Sequence, residues 1–160
     1  DVLRWQVAVA DSEIYLRKMF QLRYATEPAA ASIAAQYSTP EDHTAIGEAF
    51  DAMQTAGKDL EKWIEADLRF HKAIYLATHN EFFWSIGQLF NIVLKEMFKI
   101  TASGAHRPRA LAEHRALMEA IFAGTSEAAR ELSLKMVSNA TDDVLSIRRS
   151  ASPKLQREPT

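Results

Sequence analysis

Apolar residues in this chain recur at intervals of three and four through long segments, and the helix-breaking residues fall between those segments. The chain has only five Gly and five Pro in 160 residues, and most of them punctuate the periodic stretches. A chain patterned this way reads as all-α. Short connections between its helices imply an antiparallel bundle of six to seven of them, in which sites are built from side chains on facing helices.

The first long segment runs from Asp11 to about Tyr37, with Leu16, Met19, Phe20, Ile33 and Ala34 on a helical period. Pro28 lies inside it, and a kink is expected there because the ring crowds the carbonyl one turn earlier. Thr39 caps the second helix, Pro40 takes its first position, and Glu41 and Asp42 complement its dipole. That helix ends near Gly57, and a third reads from about Leu60 to His79. Glu81 opens a fourth, apolar over a wide arc as far as Ile100, which suggests a central position or a subunit contact. Gln88, Asn91 and Lys95 form a polar line on it, either a solvated face or a pocket wall. Pro108 starts the next helix, Gly124 closes it, and the last runs to about Arg149. Residues 11–149 read as one domain. Residues 1–10, without a clean period, read as a linker from an upstream part, and 150–160 as a polar tail.

Charge and composition narrow the function classes. The formal net charge is −2 and the pI about 6.2, so the chain carries no electrostatic footprint for nucleic acid. It has no cysteine, which excludes disulfides, thiolate metal sites and cysteine nucleophiles. Its longest apolar runs are short and interrupted by charge, so no membrane span is expected, and a cytoplasmic location is the default.

The stretch with chemistry in it is Glu65-Ala66-Asp67-Leu68-Arg69-Phe70-His71. Asp67 and His71 stand four apart, so a helix stacks them on one face with Cβ atoms roughly 5–6 Å apart. At that separation they can hydrogen-bond each other, or both reach one divalent ion through bonds of about 2.0–2.2 Å. His114 shares a helix face with Leu111, Leu117, Met118 and Ile121 and therefore points toward the core, as a packed histidine or as a third ligand. Arg23 stands four before Glu27, and the residues alone favour a surface ion pair. A metal-dependent enzyme acting on small carboxylic acids is an alternative, weakened by the lack of an evident general base with an orienting partner.

Three motifs then occur in order: Leu22-Arg23…Glu27-Pro28-Ala29-Ala30, Ala66-Asp67-Leu68-Arg69-Phe70-His71, and Glu113-His114-Arg115-Ala116-Leu117. Together they resemble the FadR-type C-terminal effector domain of the GntR family of bacterial transcription regulators, over nearly the whole chain. The resemblance implies a helical bundle that forms a homodimer and binds a small carboxylate effector, here a sugar acid such as galactonate. It implies no enzymatic activity, and DNA contact only through an upstream winged helix-turn-helix domain absent from this sequence. Many members hold a divalent metal, zinc for preference, with one Asp and three His. Asp67, His71 and His114 match three of these ligands, and the fourth position falls on Met136, whose thioether is a poor ligand for zinc. The resemblance also implies that Arg23 grips the effector carboxylate; Asn139, one turn beyond Met136, is a weak ligand or an effector contact, and Asn91 is an effector contact if its polar line is a pocket wall.

Overall fold

The helical period is realised as six helices among the described residues. They are α1 (Glu13–Tyr37), α2 (Pro40–Thr55), α3 (Leu60–Leu76), α4 (81–89), α5 (Arg107–Phe122) and α6 (Ser126–Ala151). The computed structural model describes residues 13–89 and 106–151. The expected linker at 1–10, Asn91 and the later part of the apolar segment, and the tail beyond 151 lie outside the described residues.

Connections of a few residues join α1 to α2, α2 to α3, α3 to α4 and α5 to α6. α1 packs most extensively on α6, α2 on α3, and α5 on α6, with α5 also touching α1 and α2. Small residues make the α1 contact close: Ala30, Ala31 and Ala34 are buried, as are Ala129, Val137 and Val144 of α6. α3 is covered on more than one side, as its apolar breadth predicts, and buries Trp63, Ile64, Leu68, Phe70, Ile74 and Tyr75. Each large apolar side chain buried in this way stabilises the fold by about 1.5–3 kcal/mol. α1 continues through Pro28 from Glu13 to Tyr37 as one helix.

The start of α2 follows its sequence signal and adds a tertiary link. Thr39 caps the helix, and Asp42 Oδ2 accepts from the Thr39 backbone nitrogen at 2.8 Å and its hydroxyl at 3.0 Å. The same oxygen accepts from His79 Nε2 at 2.7 Å. His79, at φ +51, occupies the left-handed turn that ends α3, so one carboxylate ties the start of α2 to the far end of α3. Partial burial pulls the Asp42 carboxyl upward, but the Thr39 N–H and His79 outweigh it and hold it below its ordinary value. Asp42→Ala is expected to cost about 1 kcal/mol in urea unfolding at neutral pH. A depressed carboxylate stabilises the fold above its unfolded pKa of about 3.9 and loses that contribution as pH falls through the folded value. The gap between wild type and variant should therefore close in acid.

Of the two positions its apolar arc allows, central or at a subunit contact, the described part of α4 does not take the central one. Its inner side rests on α3 at Gly87, where an added Cβ would come within 3.0 Å of Tyr75 Cβ. Phe83 and Ile86 pack against the core, but Phe82 is 83% exposed, and Trp84 and Leu89 also face outward. The described part of this apolar helix is thus peripheral rather than central.

Candidate functional site

α3 brings Asp67 and His71 to one side, as their spacing requires, and α5 brings His114 to meet them. All three are buried, at 5%, 7% and 4% exposure. Asp67 Oδ1 lies 3.3 Å from His71 Nε2 and 3.0 Å from His114 Nε2. One potential ligand atom from each residue falls within 4.8 Å of the others. Phe70 lies against the His114 ring, edge to face, at 5.0 Å between centroids.

The orientation of His114 has a local cause. Its Nδ1 donates to the Ala110 carbonyl, one turn back on α5, at 2.7 Å. A carbonyl only accepts, so the proton sits on Nδ1 and Nε2 faces the cluster. Burial alone would push the His114 pKa down, but the Asp67 charge, its hydrogen bond and the Ala110 carbonyl raise it. Burial alone would likewise push Asp67 up, whereas His114 and His71 hold it far below the ordinary carboxylate range.

These residues fit a divalent cation. Two imidazole nitrogens and one carboxylate oxygen are a donor set that zinc accepts. The Ala110 carbonyl behind His114 is the kind of backing that metal-ligating histidines use. Asp67, His71 and His114 would hold the ion, which when bound supplies a Lewis-acidic positive charge for a ligand oxygen. Met136 is buried on the same cavity wall and adds no hard donor.

A cavity of about 80 Å³ opens over the cluster, and Arg23, Trp63, Glu113, His106 and Arg109 also line it. The structure corrects the surface reading of Arg23. Its pair with Glu27 exists, with Nε donating to Oε1 at 2.5 Å and Nη2 to Oε2 at 3.2 Å, but the guanidinium is only 2% exposed. Burial acts to lower the Arg23 pKa, and Glu27 more than offsets it, so the cation is kept. The third nitrogen, Nη1, is buried without a hydrogen-bond partner among the described residues. Asn139 is half-buried and donates through Nδ2 to Glu113 Oε1 at 2.5 Å, so it meets the cavity through Glu113. Arg109, on the same wall, pairs with Asp143 of α6 and lies 3.5 Å from Glu113.

Sequence reasoning missed Trp63 as a wall residue and Glu27 as a buried one. The signal for Glu27 was present: Leu16, Phe20, Arg23, Glu27, Ala30 and Ala34 follow one another at intervals of three and four, so they share the core-facing stripe of α1.

The FCD domain family matches residues 18–139 of this chain. The chain belongs to that family. This FCD domain, a transcription-regulator domain, is 31% identical over 143 residues to the galactonate operon transcriptional repressor of Escherichia coli K12, covering 88% of this chain and 62% of the relative. A second relative from the same strain, a regulatory protein whose name assigns it to the L-lactate dehydrogenase operon, is 31% identical over 128 residues, covering 77% of this chain and 49% of its own. The chain thus spans about half to three-fifths of the length of these relatives. In three dimensions the FCD domain is similar to E. coli McbR/YncC, with a TM-score of 0.73 at 19% identity over 87% of this chain and 70% of that one, a likeness of fold. No helix among the described residues is long and apolar enough to cross a membrane.

Proposed function

We propose that this FCD domain is the effector-binding unit of a transcription repressor and that it senses a small sugar acid over a divalent metal, zinc for preference. The observation that carries this reading is the convergence, at one cavity, of the buried Asp67–His71–His114 cluster and a buried guanidinium with a spare donor. A cation at the cluster and Nη1 of Arg23 offer an anionic effector two complementary contacts, and neither suits a neutral apolar ligand. The named role of the galactonate-operon relative supports an aldonate such as galactonate as the ligand class. Effector binding would favour one of two arrangements of the bundle and so change the placement of attached DNA-binding units, winged helix-turn-helix domains outside these 160 residues. The domain would act as a homodimer, for which the outward-facing Phe82, Trp84 and Leu89 offer apolar surface.

Calorimetry on the zinc-repleted domain tests this. Galactonate is expected to bind, and the corresponding neutral sugar is not. Arg23→Lys should weaken galactonate about tenfold or more, because a compact ammonium lacks the planar fork that spans Glu27 and the effector, and a charge-assisted bond contributes about 1.5–3 kcal/mol. Light scattering on the same sample should report a dimer. Absence of heat and of thermal shift across a panel of sugar acids and L-lactate would sink the sensor reading.

A further inference from the structure

We propose that Glu27 is a positioning residue of the metal site: anchored by Arg23, it holds the proton on His71 Nδ1 and so turns Nε2 toward the cation. This rests on the metal reading above and assigns a role to a residue that is not itself a ligand in it.

The His71 ring is strung between two buried carboxylates on different helices. Its Nε2 lies 3.3 Å from Asp67 Oδ1, and its Nδ1 lies 3.7 Å from Glu27 Oε2. A neutral imidazole carries one N–H, and only the other nitrogen has a lone pair for a metal. Both carboxylates only accept, and Asp67 faces the ring more closely; where a cation takes up the Asp67 charge, Glu27 is the acceptor left, and its charge across 3.7 Å favours the proton on Nδ1 and the lone pair on Nε2. His114 uses the same logic with a different group, the Ala110 carbonyl at its Nδ1. Both histidines thereby present Nε2 to the cluster, and each has an acceptor behind it.

Glu27 is suited to this task because it cannot swing away. Both its oxygens are engaged by the Arg23 fork, at 2.5 and 3.2 Å, and the pair is buried. The space it shares with His71, Ile74, Tyr75 and Ser133 amounts to about 10 Å³, room for one water at most. No larger group can enter to take its place behind the ring. The arrangement also explains why a carboxylate from α1 is buried beside a ligand from α3 at all.

The test is zinc affinity of the full chain, measured by competition with a chromophoric chelator. Glu27→Gln keeps size and polarity but has one acceptor oxygen. Arg23 claims that oxygen, which leaves the amide NH2 facing Nδ1 and favours the wrong tautomer. Zinc affinity should fall about 10- to 100-fold, the usual cost of losing such a partner. In the double variant Arg23→Met/Glu27→Gln the amide oxygen is released, can accept from Nδ1, and should restore most of the affinity. A residue acting only through packing would show no such recovery, and one acting only through charge would leave the proton of His71 in zinc-free Glu27→Gln on Nδ1 rather than moving it to Nε2. Long-range ¹H–¹⁵N spectra of the zinc-loaded wild type should show His71 protonated at Nδ1. If wild type takes up zinc and Glu27→Gln binds it within twofold, or if single and double variants lose it equally, the positioning role is overturned while the metal reading stands. A wild type that never holds zinc on repletion removes both.

Discussion

Alanine at His71 or at His114 should abolish divalent-ion uptake by this domain, while leucine at Met136 should leave it intact. The expectation follows from the donor count. Three potential ligand atoms lie within 4.8 Å of one another, one each from Asp67, His71 and His114. Sites that keep an open position hold zinc with about three protein ligands, and two are too few. Met136 is on the cavity wall, but its soft sulfur contributes little to a borderline ion. Metal analysis after repletion should find about one ion per chain in wild type and in Met136→Leu, and none in either histidine variant. Thermal melts of the metal-free proteins serve as the control for folding. Metal retained by a His71→Ala/His114→Ala double variant would show that the ion sits elsewhere, and metal lost from Met136→Leu would return the thioether to the ligand set.

Glu27→Ala should be the most destabilising single change outside the apolar core. It leaves the Arg23 guanidinium buried at 2% exposure with its principal partner gone. Breaking a buried pair from one side costs about 3–5 kcal/mol, because the remaining charge is uncompensated. The same pair on a surface would be worth roughly 0.3–0.5 kcal/mol. Urea unfolding of the metal-free protein separates the two, since the expected effects differ about tenfold. Removing both charges together, as Arg23→Met/Glu27→Met, should recover most of the loss, because apolar side chains of similar volume replace a buried ion pair at little cost. A double-mutant cycle then reads the coupling directly. A loss below about 1 kcal/mol for Glu27→Ala would mean that water reaches Arg23.

The contrast between Arg23 and His114 shows where sequence reading succeeds and where it stops. His114 shares its stripe with Leu117 and Ile121, and the structure buries all three. Arg23 and Glu27 lie on an equally regular stripe, between Phe20 and Ala30, yet their charges and four-residue spacing suggest a solvated pair. Periodicity was the better guide, because a residue's direction from a helix is set by its position, whatever its charge. α4 shows an alternative that spacing alone leaves open. Its apolar arc suggests burial, but an apolar face only records that something covers it, and within this chain Phe82 is covered by nothing described.

The sequence by itself determined what is local. Helix starts such as Thr39-Pro40, the left-handed glycine after α5 at φ +68, and the facing of Asp67 with His71 follow from bonding over a few residues. The fold class and the three-motif resemblance were legible for the same reason, since both rest on spacing along the chain. Only the tertiary structure decided that His114, 47 residues from Asp67, completes the cluster and that Glu27 of α1 stands behind His71 of α3. It also decided the energetic weight of the Arg23–Glu27 pair. That weight depends on how much water packing excludes, and the segments that exclude it lie far along the chain, where no local spacing can report them.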